Sequence, residues 1–238
     1  MFLSFEEDER FLTEQIITYL GNKRSLIPFI NDAVVYVKDR LQKKTLICAD
    51  LFSGSGVVAR YLKQHSSTLY VNDLEAYSEV LNRCYLSNRS TIDLIFLSME
   101  LKRLAKRIEN EWSPGFITDL YAPKNDSDIK QYERVFFTRR NAIYLDTARK
   151  VLETESQDIK KFFLAPLIYE ASVHNNTSGV FKGFYKNRAG IGCFGGEGKN
   201  ALPRILGEIK LQTPVFSNFD CNVVIERMDT NKLVKTLP

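Results

Sequence analysis

With 238 residues, 44% of them apolar and 26% charged, the chain is long enough to bury a sizeable core and too ordinary in composition to be disordered or fibrous. It holds no apolar run long enough to span a bilayer, and its start, MFLSFEEDER, is acidic where an export signal would be basic, so a cytoplasmic protein is expected. Four scattered cysteines without a C-x-x-C pair and two histidines argue against a metal site or a disulfide framework, and a net charge of +4 marks a nucleic-acid surface only through local clustering.

In chain order, the first periodic segment is Ile27, Ile30, Val34, Val37 and Leu41, a spacing that lays one apolar stripe along a helix, with Ser25 positioned to cap it. TLICAD (45–50) reads as a short strand, and Val57, Val58, Tyr61 and Leu62 resume helical spacing after a glycine turn. A second strand, TLYVND (68–73), and a helix over 75–86 give the βαβ pattern of a parallel sheet. Helical periodicity returns over 90–110 and is broken across 113–128 by prolines, Gly115 and polar residues. Further helices are expected over 129–153 and 157–173. Residues 175–199 hold seven of the twelve glycines, so a long loop or a run of tight turns is expected there. CNVVIER (221–227) reads as a buried strand, with Met228 and Asp229 just past it.

The turn Gly54-Ser55-Gly56-Val57-Val58-Ala59 fits G-x-G-x-x-A, in which glycines let a ligand approach the backbone at a helix N-terminus. A plain strand-to-helix turn reads the same way. Asp50, just ahead of the glycines, would repel a pyrophosphate, which disfavours a nicotinamide-dependent oxidoreductase. It suits S-adenosylmethionine better, because that molecule carries a cationic sulfur and an ammonium group and no phosphate. Asp73 is placed either to accept hydrogen bonds from ribose hydroxyls or to cap the following helix. Lys23, at a helix start, either approaches the cofactor carboxylate or stands in solvent. Between His174 and Leu206, five cations (Lys182, Lys186, Arg188, Lys199, Arg204) oppose only Glu197 and alternate with Phe181, Phe184 and Tyr185. That pattern fits a loop that neutralises phosphates and enters a groove, and equally a solvated basic loop whose aromatics are core. Trp112 reads as packing, His65 as surface, and Asp146 with Arg149 as a surface pair one helical turn apart.

YLGNKRSLIPFI (19–30) resembles the N-terminal cofactor motif of the α-class DNA N6-adenine methyltransferases, the group that includes the Dam-type enzymes. DLFSGSG (50–56) is similar to their F-x-G-x-G cofactor loop and YVND (70–73) to their second acidic motif. FFTRRNAIYLDTARK (136–150) and NNTSGVFKGFYK (175–186) resemble stretches of their DNA-recognition region, and VIERMDTNKLVKTLP (224–238) the strand and acidic residue just ahead of the catalytic motif. The resemblance runs through nearly the whole chain in family order. It implies an α/β fold: an incomplete Rossmann-like methyltransferase core over 1–87 and 213–238, interrupted by a mainly helical target-recognition insertion over 88–212.

The resemblance further implies S-adenosylmethionine held by Tyr19, Gly21, Asn22, Lys23, Asp50, Phe52, Ser53, Gly54, Ser55, Gly56, Asp73, Leu74 and Asp229. It implies double-stranded DNA contacted by Asn176, Ser178, Lys182, Tyr185, Lys186, Arg188 and Lys199. Family members carry D-P-P-Y, in which a polar side chain and a proline carbonyl hold the target amine while the ring stacks on the flipped base. No such tetrapeptide occurs in these 238 residues, so no catalytic residue is assigned and the chain alone is expected to be inactive. A further segment or complementing subunit, joining an open sheet edge beside Val223 and Ile225, is expected to supply it. The implied activity is site-specific adenine N6 methylation, as in restriction-modification with a cognate endonuclease. The alternative is a noncatalytic DNA-binding module that senses S-adenosylmethionine.

Overall fold

The computed structural model describes residues 6–17, 21, 23–179 and 182–238. Tyr19 and Asn22 of the expected cofactor set, and Phe181 of the basic loop, lie outside the described residues. The fold is mixed α/β, and the chain divides into two compact units, one of residues 1–16, 21–94 and 214–238, the other of 17–20 and 95–213. Chain order begins α1 (Glu9–Thr13), α2 (Ile27–Leu41), β1 (Leu46–Asp50), α3 (Val57–Lys63), β2 (Ser66–Asn72) and α4 (Ala76–Tyr85). The second unit is built from α5 (Leu94–Asn110), α6 (Phe116–Tyr121), α7 (Arg139–Glu153), α8 (Gln157–Val173) and α9 (Leu202–Leu206), and the chain returns with β3 (Asn222–Glu226) and α10 (Thr230–Leu233). No helix among the described residues is long and apolar enough to cross a membrane.

In the first unit the three strands run parallel in the order β1-β2-β3, with Cys48, Leu69 and Val223 in register, and Asp50, Val71 and Ile225 one pleat further on. Residues in register share a face, and on this face Leu69 and Val71 are buried. α3 packs on β1 and β2, and α4 on β3. Two right-handed crossovers progressing in one direction put both helices on one face, so the core lies there. The opposite face presents Ile47, Ala49, Tyr70 and Val224, and Ile47 is 64% exposed. β3 is half-buried on both faces, not the buried strand expected, because it is an edge strand of the sheet.

α2 has the expected span but not the expected cap. Ser25 lies inside a 3-10 turn (Arg24–Leu26), no side chain caps the helix, and Pro28 in its first turn presets the backbone. Of its stripe only Val34 is buried; Asn31 and Lys38 rest against Tyr61 and His65, while Val37 and Leu41 are exposed.

In the second unit, the helix expected over 129–153 begins only at Arg139. Thr138 caps α7 by accepting Asn141 N–H, and the preceding segment is held irregular by two carboxylates: Glu133 accepts Lys124 and Lys130 N–H, and Asp126 accepts Arg139 N–H. Inside the expected break, α6 forms because Asp146 accepts the N–H groups of Gly115, Ile117 and Thr118 and the Thr118 hydroxyl. Asp146 is therefore a helix cap and not half of a surface pair, and Arg149 pairs instead with Glu153 at 3.2 Å. Glu155, after α7, bridges Arg103 and Arg107 of α5 at 2.6 Å each. The described residues of 175–199 form a loop of turns held by backbone hydrogen bonds such as Tyr185 N–H to Asn176 O and Cys193 N–H to Tyr185 O, with an isolated antiparallel bridge between Lys186 and Gly192.

Candidate cofactor and nucleic-acid sites

Parallel strands bring their C-terminal ends to one side of a sheet, and in open α/β sheets ligands bind there. In the first unit those ends carry Asp50, Phe52, Ser53, Gly54, Ser55 and Gly56 after β1, Asp73 and Leu74 after β2, and Asp229 after β3. Asn72, which the sequence reading passed over, ties the three ends together. Its Nδ2 donates to Leu51 O (3.3 Å), Met228 O (3.1 Å) and Thr230 Oγ1 (3.1 Å), and its Oδ1 accepts from Met228 N (3.1 Å).

The glycine turn is rigidly built. Gly56 sits at φ +80° as the residue before α3, and a Cβ there would come 2.7 Å from Asn82 Oδ1, so both conformation and space require glycine. Asn82 in turn donates to Ser53 Oγ (3.1 Å) and Ser78 O (2.9 Å). Gly54 N–H donates to Asp73 Oδ2 at 2.7 Å, and Asp73 Oδ1 accepts Glu75 N–H at 3.0 Å. Asp73 thus braces the glycine turn and caps the turn ahead of α4. Asp229 Oδ1 likewise accepts Asn231 N–H at 2.7 Å and caps α10.

Asp50 is the exception to this satisfied network. Its Oδ2 is buried and has no hydrogen-bond partner among the described residues. Burial pushes its carboxyl pKa up, against Ser53, the backbone at Ala59 and Phe52, and the charge of Lys23, which all favour the ionised form. Phe52, just past β1, and Leu74, just past β2, are exposed; Gly21 and Lys23 are exposed too. A buried carboxylate oxygen with no partner fits a cationic ligand, and exposed apolar side chains fit a flat ring. The same oxygen opposes a pyrophosphate.

In the second unit, the basic loop divides into supports and outward groups. Asn176 is fully buried: its amide donates to Val135 O and Cys193 O and accepts Gly195 N–H, so it holds the loop in shape and does not reach out of it. Arg204 also turns inward, donating to the carbonyls of Val173, Asn175 and Thr177. His174 Nδ1 lies 2.5 Å from Arg204 O, and its Nε2 lies 3.5 Å from Glu170, which raises its pKa. Ser178, Lys182, Lys186, Arg188 and Lys199 are exposed, and Tyr185 is half-buried. Arg188 pairs with Glu197 at 2.7 Å, and the Lys186 ammonium stands 5.3 Å above the Phe184 ring. The five cations counted from sequence therefore include one inward support and one arginine already neutralised.

Known proteins agree in class. The family described as D12 class N6 adenine-specific DNA methyltransferase matches residues 19–191. The type II methyltransferase M.NlaIII of Neisseria lactamica is 27% identical over 229 residues, covering 93% of this chain and 61% of its own. Modification methylase LlaI of Lactococcus lactis subsp. lactis is 31% identical over 182 residues, 71% of this chain and 27% of its own. The type II methyltransferase M.CviAII of Paramecium bursaria Chlorella virus 1 is 29% identical over 182 residues, 71% of this chain and 49% of its own. The chain thus spans less than two thirds of the length of each of these relatives. No solved structure matches.

Proposed function

The chain belongs to the D12 class N6 adenine-specific DNA methyltransferase family, and we propose that it provides the cofactor-binding and DNA-recognition portion of a site-specific DNA adenine N6 methyltransferase. The observation that carries the reading is the unpartnered buried oxygen of Asp50 beside the braced glycine turn. S-adenosylmethionine, when bound, supplies an electrophilic methyl group on a positively charged sulfur. Asp50 balances the positive charge of that ligand, Phe52 and Leu74 flank its adenine, and Asp229 and Asp73 offer acceptor oxygens to its amine and ribose. Lys23 meets its carboxylate, with Tyr19, Gly21 and Asn22 in the same stretch; Ser53, Gly54, Ser55 and Gly56 shape the turn. The core is Rossmann-like, with a target-recognition insertion between its two parts.

In the same reading, Lys182, Lys186 and Lys199 neutralise phosphates of double-stranded DNA, Arg188 joins them on leaving Glu197, and Ser178 and Tyr185 contact the duplex. Asn176 serves by holding this loop. The nucleophile, the exocyclic nitrogen of adenine, is weak because its lone pair is delocalised into the ring, so it must be gripped close to the methyl group. D-P-P-Y, which does this in the family, is absent from these 238 residues. A complementing segment or subunit supplies it, within a cytoplasmic restriction-modification system that includes a cognate endonuclease.

Calorimetric titration with S-adenosylmethionine and with NAD tests the cofactor. Binding of the first alone is expected, weakened by about 1–3 kcal/mol in Asp50→Asn. A chain that takes NAD and ignores S-adenosylmethionine defeats the reading. Transfer of a tritiated methyl group to DNA is expected only after a polypeptide carrying D-P-P-Y is added. The absence of D-P-P-Y also favours a second reading, a noncatalytic S-adenosylmethionine sensor, and tight binding with no transfer under any complementation would select it.

A further inference from the structure

The carboxylates that keep the segment before α7 irregular also open a cavity. Glu133 ties that segment to itself through the Lys124 and Lys130 N–H groups, Asp126 ties it to the start of α7, and the Phe136 and Phe137 N–H groups both donate to Tyr121 O at the end of α6. α6 is fixed in turn by Asp146. Between the two lies a space of about 420 Å³, within the roughly 300–1,000 Å³ usual for small-molecule sites. Every residue that lines it belongs to the second unit. Its buried part is Thr118, Ala122 and Glu133; the Thr118 hydroxyl proton already goes to Asp146, and both Glu133 oxygens are taken by backbone.

The rest of the lining specifies a ligand. Lys124, Arg134 and Arg139 face the cavity, and among the described residues none of them forms a salt bridge, whereas Arg103, Arg107, Arg140 and Arg149 on α5 and α7 all have carboxylate partners. Arg139 gives one N–H to Pro123 O at a long 3.4 Å, and Arg134 stands 5.8 Å from the centre of the Tyr121 ring, so most of both guanidinium forks is unspent. Three such cations suit a phosphomonoester, with a charge of about −1.5 to −2 at neutral pH, better than a singly charged phosphodiester. Tyr132, 79% exposed, and exposed Leu120 offer apolar surface to a flat ring, and exposed Asp119 offers an acceptor for an N–H or O–H. We propose that this cavity binds a nucleotide ending in a phosphomonoester, with the phosphate on Lys124, Arg134 and Arg139, the ring against Tyr132 and Leu120, and a ring or sugar donor on Asp119. A free nucleoside 5′-monophosphate and the 5′-phosphorylated end of a DNA strand share that chemistry. None of these residues belongs to the sets assigned to the cofactor or to the duplex, and the inference does not rest on the methyltransferase reading.

Calorimetric titration of the full 238-residue chain with dAMP, dGMP, dCMP and dTMP, each beside its nucleoside, tests the site. At least one monophosphate is expected to bind, at least about tenfold more tightly than its nucleoside, with hydrogen-exchange protection gained over Phe116–Tyr121 and 132–134. Lys124→Ala together with Arg134→Ala should weaken it at least about tenfold, and Tyr132→Ala about threefold. All three side chains are exposed, so the thermal midpoint and the response to S-adenosylmethionine should stay those of the natural chain. Failure of every monophosphate to bind overturns the proposal. So does equal affinity for nucleoside and monophosphate, undiminished binding in the double variant, or protection gained at the glycine turn in place of α6. Competition separates the two sources. Displacement of the monophosphate by a 5′-phosphorylated oligonucleotide, and not by the same strand ending in a 5′-hydroxyl, assigns the site to strand ends. Displacement by neither assigns it to the free nucleotide, and equal displacement by both means that the cations read backbone diesters and overturns the proposal.

Discussion

Arg60 is the side chain that departs furthest from what its type predicts. Arginine belongs on surfaces, yet this one is 1% exposed, and among the described residues it forms no ion pair with a carboxylate. Its guanidinium donates to the carbonyls of Phe11 (2.8 Å), Glu14 (2.9 Å) and Gln15 (3.0 Å) and lies 3.8 Å from the centre of the Tyr85 ring. Burial lowers its pKa to about 10, so it stays charged at neutral pH. Nothing in VVARYL signals this, because the carbonyls it serves sit more than forty residues earlier in the chain. Arg60→Met strands those oxygens and should cost about 3 kcal/mol in denaturant unfolding, and Arg60→Lys, lacking the planar fork, should recover less than half. Asp50 predicts the opposite sign. Its folded pKa lies above the unfolded value of 3.8, so the folded state holds the proton more tightly and stability falls as pH rises from 3.8 through the folded value. Asp50→Asn should therefore be more stable than the natural chain at about pH 7 and no more stable at about pH 3, by urea midpoints at both. That it would also bind cofactor more weakly is the usual trade between stability and function.

Elements were legible wherever their stabilising contacts were periodic or local. The spans of α2, α3, α4 and α8 and the three strands follow from apolar spacing and flanking turns. α6 was invisible because its N-terminal donors are satisfied by Asp146, about thirty residues on. Asp146→Ala should melt that helix and cost about 2 kcal/mol, seen as lost exchange protection in Phe116–Tyr121. The segment before α7 was over-read as helix because Glu133 and Asp126 give its backbone other acceptors. Of the expected DNA residues, the charged ones are exposed, whereas Asn176 is claimed by the carbonyls of Val135 and Cys193; Arg204, counted with the basic stretch, is likewise claimed by those of Val173, Asn175 and Thr177. His174 extends that clamp. Its raised pKa means the stabilisation is full below the unfolded value of 6.5 and is lost as pH rises through the folded value. Exchange protection at Asn175–Thr177 should accordingly drop with increasing pH, and His174→Gln should abolish the dependence. Removing Lys182 and Lys186 together should lower the log–log salt slope of DNA binding by about 0.9 per lost phosphate contact, while Glu197→Gln, freeing Arg188, should raise affinity.

Across the whole molecule, the expected cofactor residues that follow the three strands lie at one side of the sheet because parallel strands deliver their ends there, which a βαβ pattern makes readable in advance. The uncovered face was not readable, since each strand's alternation looks the same whether or not a helix lies over it. The amide of Asn72 carries a consequence of another kind. It joins β2 to Met228, 156 positions later, and β2 needs β3 at its side to become an interior strand. During synthesis, then, Leu69 and Val71 must wait while all of α5–α9 is made, and closing so long a loop is entropically slow. The helical unit, rich in local contacts, should fold first. Pulse-labelled refolding should show α7 and α8 protected before β2, and a chain released from the ribosome before Asn222 should aggregate through the bare side of β2. Translation order is in this sense part of the assembly: the centre of the sheet is among the earliest residues made and among the last to be enclosed.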